Sequence, residues 1–202
     1  MLSIDPAKIT ERDNYKMLIG SIVPRPIAFV TSVAEDGTLN GAPFSYFNIV
    51  SSNPPMISLS IQRKNGLKKD TAKNILRQKE FVVHIVDESN VKKVNETAAN
   101  LPSSESEITH AGLTSVESTT IRVQGVEEAK IRMECKLEHS LELGGSGSPS
   151  CDLLIGKVLQ YHVADELYHN GRVDHEKLRA VSRLAGNFYA TIGEAFEIER
   201  PD

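Results

Sequence analysis

Serine, histidine and aspartate all occur in this 202-residue chain, so nucleophilic hydrolysis is the first chemistry to weigh. No GxSxG elbow is present, and neither Cys135 nor Cys151 lies in an electropositive stretch that would lower a thiol pKa. For metal chemistry the closest histidines are His162, His169 and His175, whose spacings put no pair on one helical face. Neither HExxH nor a Cys/His finger pattern occurs, so no metal is expected. The pattern that does stand out is an anion site. In IQRKNGLKKD, residues 61–70, Arg63, Lys64, Lys68 and Lys69 face Asp70 alone, giving the window about +3 in a chain of formal charge −4. DTAKNIL follows and reads as a helix. The first amides of a helix lack intrahelical partners and carry partial positive charge, so a phosphate at this entrance gains twice. The other reading is a solvated basic turn whose Asp70 or Thr71 caps the helix.

Small and polar residues gather just upstream. GAPFSYFN offers Ser45 and Asn48, SSNPP adds Ser51 and Ser52, and SLSIQRK contributes Ser60, Gln62 and Arg63. If these segments are neighbouring strands, their polar faces converge on the helix entrance at Thr71. A ligand with a flat ring, a hydroxylated middle and a phosphate tail suits such a groove. Its ring would rest against Pro43, Phe44 and backbone near Thr31, with the phosphate at the basic turn.

The elements that must position these residues are mostly strands. Ile22 to Val33 and Leu39 to Val50 read as two strands joined by a turn at Asp36 and Gly37. Pro24 and Pro26 cannot donate to a ladder, so the first strand should be an edge, a bulge or a late starter. Ile57, Leu59 and Ile61 alternate with Ser58, Ser60 and Gln62, one face apolar and one polar. FVVHIVD at 81–87 is a buried-strand run, and residues 88–99 allow a polar helix. IRVQGV, KIRMECKLEHSLELG and CDLLIGKVLQYHV read as further strands, the last two forming a hairpin across GGSGSPS at 144–150. That Gly/Ser run fits no phosphate-loop pattern. A short helical piece near Asp174 to Leu178 precedes RLAGNFYA at 183–190. Strands interleaved with modest helices, without βαβ alternation, favour a mainly β chain, a β-barrel with helical additions.

Composition narrows the class. Hydrophobic content of 40% with 25% charged residues is globular, and the acidic balance argues against a nucleic-acid binder. No apolar stretch reaches the ~20 residues of a membrane span, and MLSIDPAKIT resembles no leader, so a cytoplasmic protein is expected, its two cysteines reduced. The length fits a single domain over 1–202.

The run SIVPRPIAFVTSVAEDGTLNGAPFSYFNIVSSNPPMISLSI, then KKDTAKNIL, EFVVHIV and RLAGNFYA, resembles the flavin reductase-like family of FMN-binding split β-barrel flavoproteins. The ordered set PRP, APFS, NPP, DTxxNI and RLxGxxY carries the resemblance over nearly the whole chain. It implies a six-stranded Greek-key barrel and a homodimer with FMN near the subunit interface. By position, Thr31 and the Ala42, Pro43, Phe44 and Ser45 backbone would lie by the flavin ring, and Asn48 and Ser51 near the ribityl chain. Ser60, Arg63, Lys69, Asp70, Thr71 and Asn74 fall in the segments for the phosphate end, with Asp70 rather a cap than a ligand. Arg25 could reach the ring or the phosphate. Arg183 and Tyr189 would border the substrate side, or else pair with a surface carboxylate and join the core. The implied activity is an NAD(P)H-dependent flavin oxidoreductase passing hydride to FMN and on to an acceptor, such as a redox partner or a flavin-dependent oxygenase. The flavin carries the chemistry, so no catalytic side chain is assigned. The rival is a non-enzymatic FMN carrier reduced by a protein partner.

Overall fold

A computed structural model of the chain describes residues 1–145 and 147–201, which leaves Ser146 in the 144–150 hairpin tip outside the described residues. Its main sheet has seven strands: β1 Ala28–Val33, β2 Leu39–Phe44, β3 Phe47–Ser52, β4 Pro55–Gln62, β5 Glu80–Ile85, β6 Ile131–Leu143 and β7 Cys151–Val163. They pair in the order β2-β1-β5-β6-β7-β4-β3, every contact antiparallel. The two edge strands, β2 and β3, are consecutive in the chain and joined only by Ser45 and Tyr46. Two residues of chain span less than ~10 Å, so the edges must meet and the sheet must roll up. β2 and β3 share no ladder among the described residues, and the resulting Greek-key barrel is split along that seam.

Alternation decides what fills it. Ile57, Leu59 and Ile61 of β4 point inward with Val30, Phe81, Val83, Met133, Cys135 and Leu154. Each such side chain contributes roughly 1.5–3 kcal/mol on burial. Helix α2, Asp70–Gln78, crosses from β4 to β5 and drops Ala72 and Ile75 into the same core. At Gly156 of β7 an added Cβ would stand 2.4 Å from the Phe81 ring, so only glycine lets that ring pack. The outer faces of β1 and β5 are covered as well. Phe29 packs with Val86, Val94, Ile108 and Val126, and Val82 with Ile121 and Val123. This double burial explains why FVVHIVD reads as a continuous apolar run.

One local expectation is met and two features differ from the sequence reading, each with a physical cause. β1 starts late, at Ala28, because Arg25–Pro26 leaves the main sheet and pairs with Val181–Arg183 of the tail, which in turn pairs with Tyr189–Thr191. IRVQGV is not a strand: only Gly125–Val126 pairs, with Ser115–Val116. Ahead of it the Thr119 and Thr120 amides donate to the buried Glu134 carboxylate at 2.6 and 2.7 Å, which satisfies them without a neighbouring strand. Finally, Glu11–Ser21 is a helix, α1, that hydrophobic periodicity alone does not announce. Thr10 caps it by accepting from the Asp13 amide, and the Thr10 hydroxyl donates to the Asp13 carboxylate at 2.7 Å.

Candidate functional site

Two clefts open where the barrel seam meets α2, a short helix α3, Val91–Glu96, and the tail. The first, about 380 Å³, lies between the Pro43–Tyr46 turn, α1 (Tyr15, Ile19), α3 (Val91, Val94, Asn95) and the tail (Arg183, Leu184, Tyr189). The second, about 390 Å³, runs along the start of α2, between the 64–70 turn and Thr97 to Leu101. Pro43, Phe44, Lys69 and Ala98 belong to both, so the two form one continuous trough with a ridge at Lys69.

The basic turn divides its cations between structure and cleft. Arg63 donates through Nε and Nη2 to both oxygens of buried Asp152, at 3.0 and 2.6 Å, and Nη2 also meets Glu142 at 2.9 Å. Its hydrogen bonds to Asp152 outweigh the effect of burial and push its pKa further up. Lys68 pairs with Glu142 and lies 3.6 Å from Asp152. Arg63 is therefore a clamp to the β6–β7 hairpin: two carboxylates already neutralise it, and it lines neither cleft. Lys64 and Lys69 have no ion pair among the described residues. Burial and then the charge of Lys64 lower the pKa of Lys69, whose ammonium stands 5.8 Å from the Phe44 ring centre. A lysine exposed at the mouth of the cleft, with no counter-ion among the described residues, can take an anion beside it.

The helix entrance is open in the same place. Lys69 occupies the N-cap position of α2 and makes no side-chain cap bond. Neither expected cap forms. Asp70 turns to Lys73 at 2.9 Å, and the Thr71 hydroxyl points inward, donating to Asn40 Oδ1 at 2.8 Å. Asn40 also accepts from Ser32 and donates to Glu107, while Asn74 donates to Ser32. Thr71 and Asn74 thus belong, through their side chains, to a buried polar network beneath the cleft. The first-turn amides of α2 have no side-chain partner among the described residues, and Lys69, Asp70 and Thr71 line the cleft there.

The other sequence candidates separate by place. Ala42, Pro43, Phe44, Ser45, Lys69, Asp70 and Thr71 line the trough, and Arg25, Arg183 and Tyr189 line its first cleft. Thr31 is fully buried on the outer face of β1, its hydroxyl donating to Gln124 O at 2.7 Å, so its side chain offers nothing to a ligand. Asn48 and Ser51 face a separate apolar groove with Ile49, Met56 and Tyr161. The Ser60 hydroxyl accepts from Gln62, outside the trough. Arg183 stacks 4.4 Å from the Tyr189 ring, and Tyr189 donates to Asn95 Oδ1 at 2.8 Å, fixing the tail against α3. Tyr15, Asn95 and Ala98 are trough residues that the sequence reading does not single out, while Lys64 of the basic run lines the second cleft. The apolar stripe Tyr15, Leu18, Ile19, Ile22 behind a Thr10/Asp13 cap is the signal that could have found the α1 wall.

This arrangement offers an apolar and aromatic slot leading to a cationic helix entrance, with no carboxylate lining the first cleft among the described residues. No helix there is long and apolar enough to cross a membrane. Residues 19–177 match the flavin reductase like domain. The chain is 61% identical to the crystal structure of nitrilotriacetate monooxygenase component B from Bacillus cereus, with 98% of each chain covered and a TM-score of 0.97. It is 30% identical to 2-nitrobenzoate 2-nitroreductase NbaA of Pseudomonas fluorescens, with 99% of this chain and 96% of that one covered and a TM-score of 0.84. It is also 48% identical to the uncharacterized protein BH2278 of Halalkalibacterium halodurans, over 99% of this chain and 97% of that one. The chain belongs to the flavin reductase-like family of split-barrel proteins.

Proposed function

We propose that the chain is a single-domain, cytoplasmic FMN-binding oxidoreductase that oxidises NADH or NADPH and passes the electrons to an acceptor. The observation that carries this reading is the continuous trough whose ridge, Lys69, stands without a counter-ion at the uncapped start of α2. That donor set fits a phosphate monoester: the first-turn amides, the Lys69 ammonium and Lys64 close by. Pro43, Phe44 and the Ser45 backbone supply a flat surface for a ring, and Arg183 and Tyr189 border the side left to a second substrate. Bound FMN supplies the hydride acceptor, so the chain needs no general base of its own. Its side chains hold the cofactor by the phosphate and shield the slot from water.

A homodimer is part of the proposal. Ile49 is 78% exposed and Val50 is exposed with it on the edge strand β3, next to Tyr161 and an apolar groove of about 520 Å³. A second copy seated on that edge would cover this apolar surface, and Asn48 and Ser51 would then lie at the interface. Sedimentation velocity of a dimer supports this, and a monomer refutes it. A likeness to a monooxygenase component makes an oxygenase the first acceptor to try.

The reaction is tested by anaerobic stopped-flow of the FMN-loaded protein against NADH and NADPH. Rapid bleaching of the flavin absorbance by one of them is expected. Tight flavin binding without bleaching by either would replace the enzyme by an electron carrier.

A further inference from the structure

Arg25 lines the first cleft, yet three of its five N–H donors are turned to backbone carbonyls and Nε is buried with no partner among the described residues. Its side chain is buried, with 6% of the residue exposed. Nη1 donates to Ile19 O at 2.7 Å and also to Ile22 O, and Nη2 donates to Leu184 O at 2.9 Å. Ile19 and Ile22 end α1, and Leu184 opens the tail loop that carries Arg183 to Tyr189. These are the two walls that face each other across the first cleft: Tyr15 and Ile19 on one side, Arg183, Leu184 and Tyr189 on the other. One guanidinium therefore ties both walls. No carboxylate pairs with it among the described residues, and its charge instead meets the carbonyl end of α1, whose own last turn has no basic residue.

α1 depends on such a tie. The helix has 11 residues, and Ile19 is its one buried side chain. A helix of that length is marginal by itself in water. The backbone of Arg25 pairs with Arg183, which holds the guanidinium at the junction of the two walls. We propose that Arg25 is a positioning residue, a clasp that fixes the width of the first cleft by holding α1 and the 184–188 loop at once.

The geometry separates this role from a charge effect. Nη1 serves α1 and Nη2 serves the tail, so the single nitrogen of a lysine cannot stand at both. Hydrogen exchange is measured on the flavin-free protein for wild type, Arg25→Gln and Arg25→Lys. In Arg25→Gln the amides of residues 15–22 and 184–188 should exchange roughly tenfold or more faster, while the β5 amides at 81–85 keep their protection. Arg25→Lys should leave at least one of the two segments loosened. Flavin affinity is the second arm, and it rests on the FMN reading above. Both variants should weaken riboflavin and FMN by the same factor, because the affected wall touches the ring slot and not the phosphate end. Loosening of neither segment in Arg25→Gln, or full restoration of both by Arg25→Lys, overturns the clasp. So does a loss confined to FMN. If wild-type protein binds no flavin, the FMN reading fails while the exchange arm still decides the clasp. If Arg25→Gln does not fold, Arg25→Lys decides by the same exchange criterion.

Discussion

Replacing His84 by glutamine probes how the barrel senses acid. The imidazole is fully buried on β5, with Nδ1 2.9 Å from Phe29 O and Nε2 2.8 Å from the Val126 amide. Since Val126 N–H must donate, Nε2 is the acceptor and Nδ1 carries the proton, so the ring is neutral. Burial lowers its pKa from 6.5 to about 4, the bond to Phe29 O works against that shift, and the charge of Arg132 adds to it. In the unfolded chain the ring takes up a proton near 6.5, in the folded chain only near 4. Between those values the unfolded state binds more protons, so folding stability falls as pH drops through the window. The difference amounts to about 3 kcal/mol between neutral pH and pH 4. Buried Glu134 acts lower down. Burial opposes its charge, but hydrogen bonds from Thr120, Thr119 and His162 win and hold its pKa at about 2, so its contribution is lost only as pH falls below 4.5. Urea unfolding from pH 7.5 to 4 measures the slope. Wild type should lose most of the His84 contribution between pH 6.5 and 4.5, and His84→Gln, able to donate to Phe29 O and accept from Val126, should show a slope smaller by one proton. Equal stability of wild type across that window, or an unchanged slope in His84→Gln, would refute the reasoning.

Other perturbations address the site and its supports. Asp152→Asn removes the buried partner of Arg63 and Lys68, and should lower the thermal midpoint by roughly 5–10 °C, measured by circular dichroism. Lys69→Ala should weaken FMN roughly 10- to 100-fold while riboflavin changes little, by fluorescence titration; equal losses would remove Lys69 from the phosphate end. Gly156→Ala should cost about 1–3 kcal/mol of folding free energy in urea, because its methyl must displace the Phe81 ring.

What could be read in the chain follows the range of the interactions involved. The alternation of Ile57, Leu59 and Ile61 specifies a strand with one inward face, and the β6–β7 hairpin is local in sequence, so both are legible. Ile121 and Val123 imitate a strand, yet the loop there is organised by Glu134, whose carboxylate claims the neighbouring amides. The basic turn shows the same limit. Its charge marks the α2 entrance correctly as cationic, but which cations remain for a ligand depends on Asp152, 89 positions away from Arg63. Likewise the Arg25 side chain is committed by Leu184, 159 positions on, a pairing that no spacing near PRP reveals. Local patterns locate the trough, and long-range partners decide which residues in it are free.

The central claim, that this trough holds FMN by its phosphate at the start of α2, is met most directly by titrating flavin fluorescence with purified wild-type protein, FMN and riboflavin side by side. Quenching by both is expected, with FMN held at least tenfold more tightly. Binding of neither flavin, or equal affinity for the two, would contradict it.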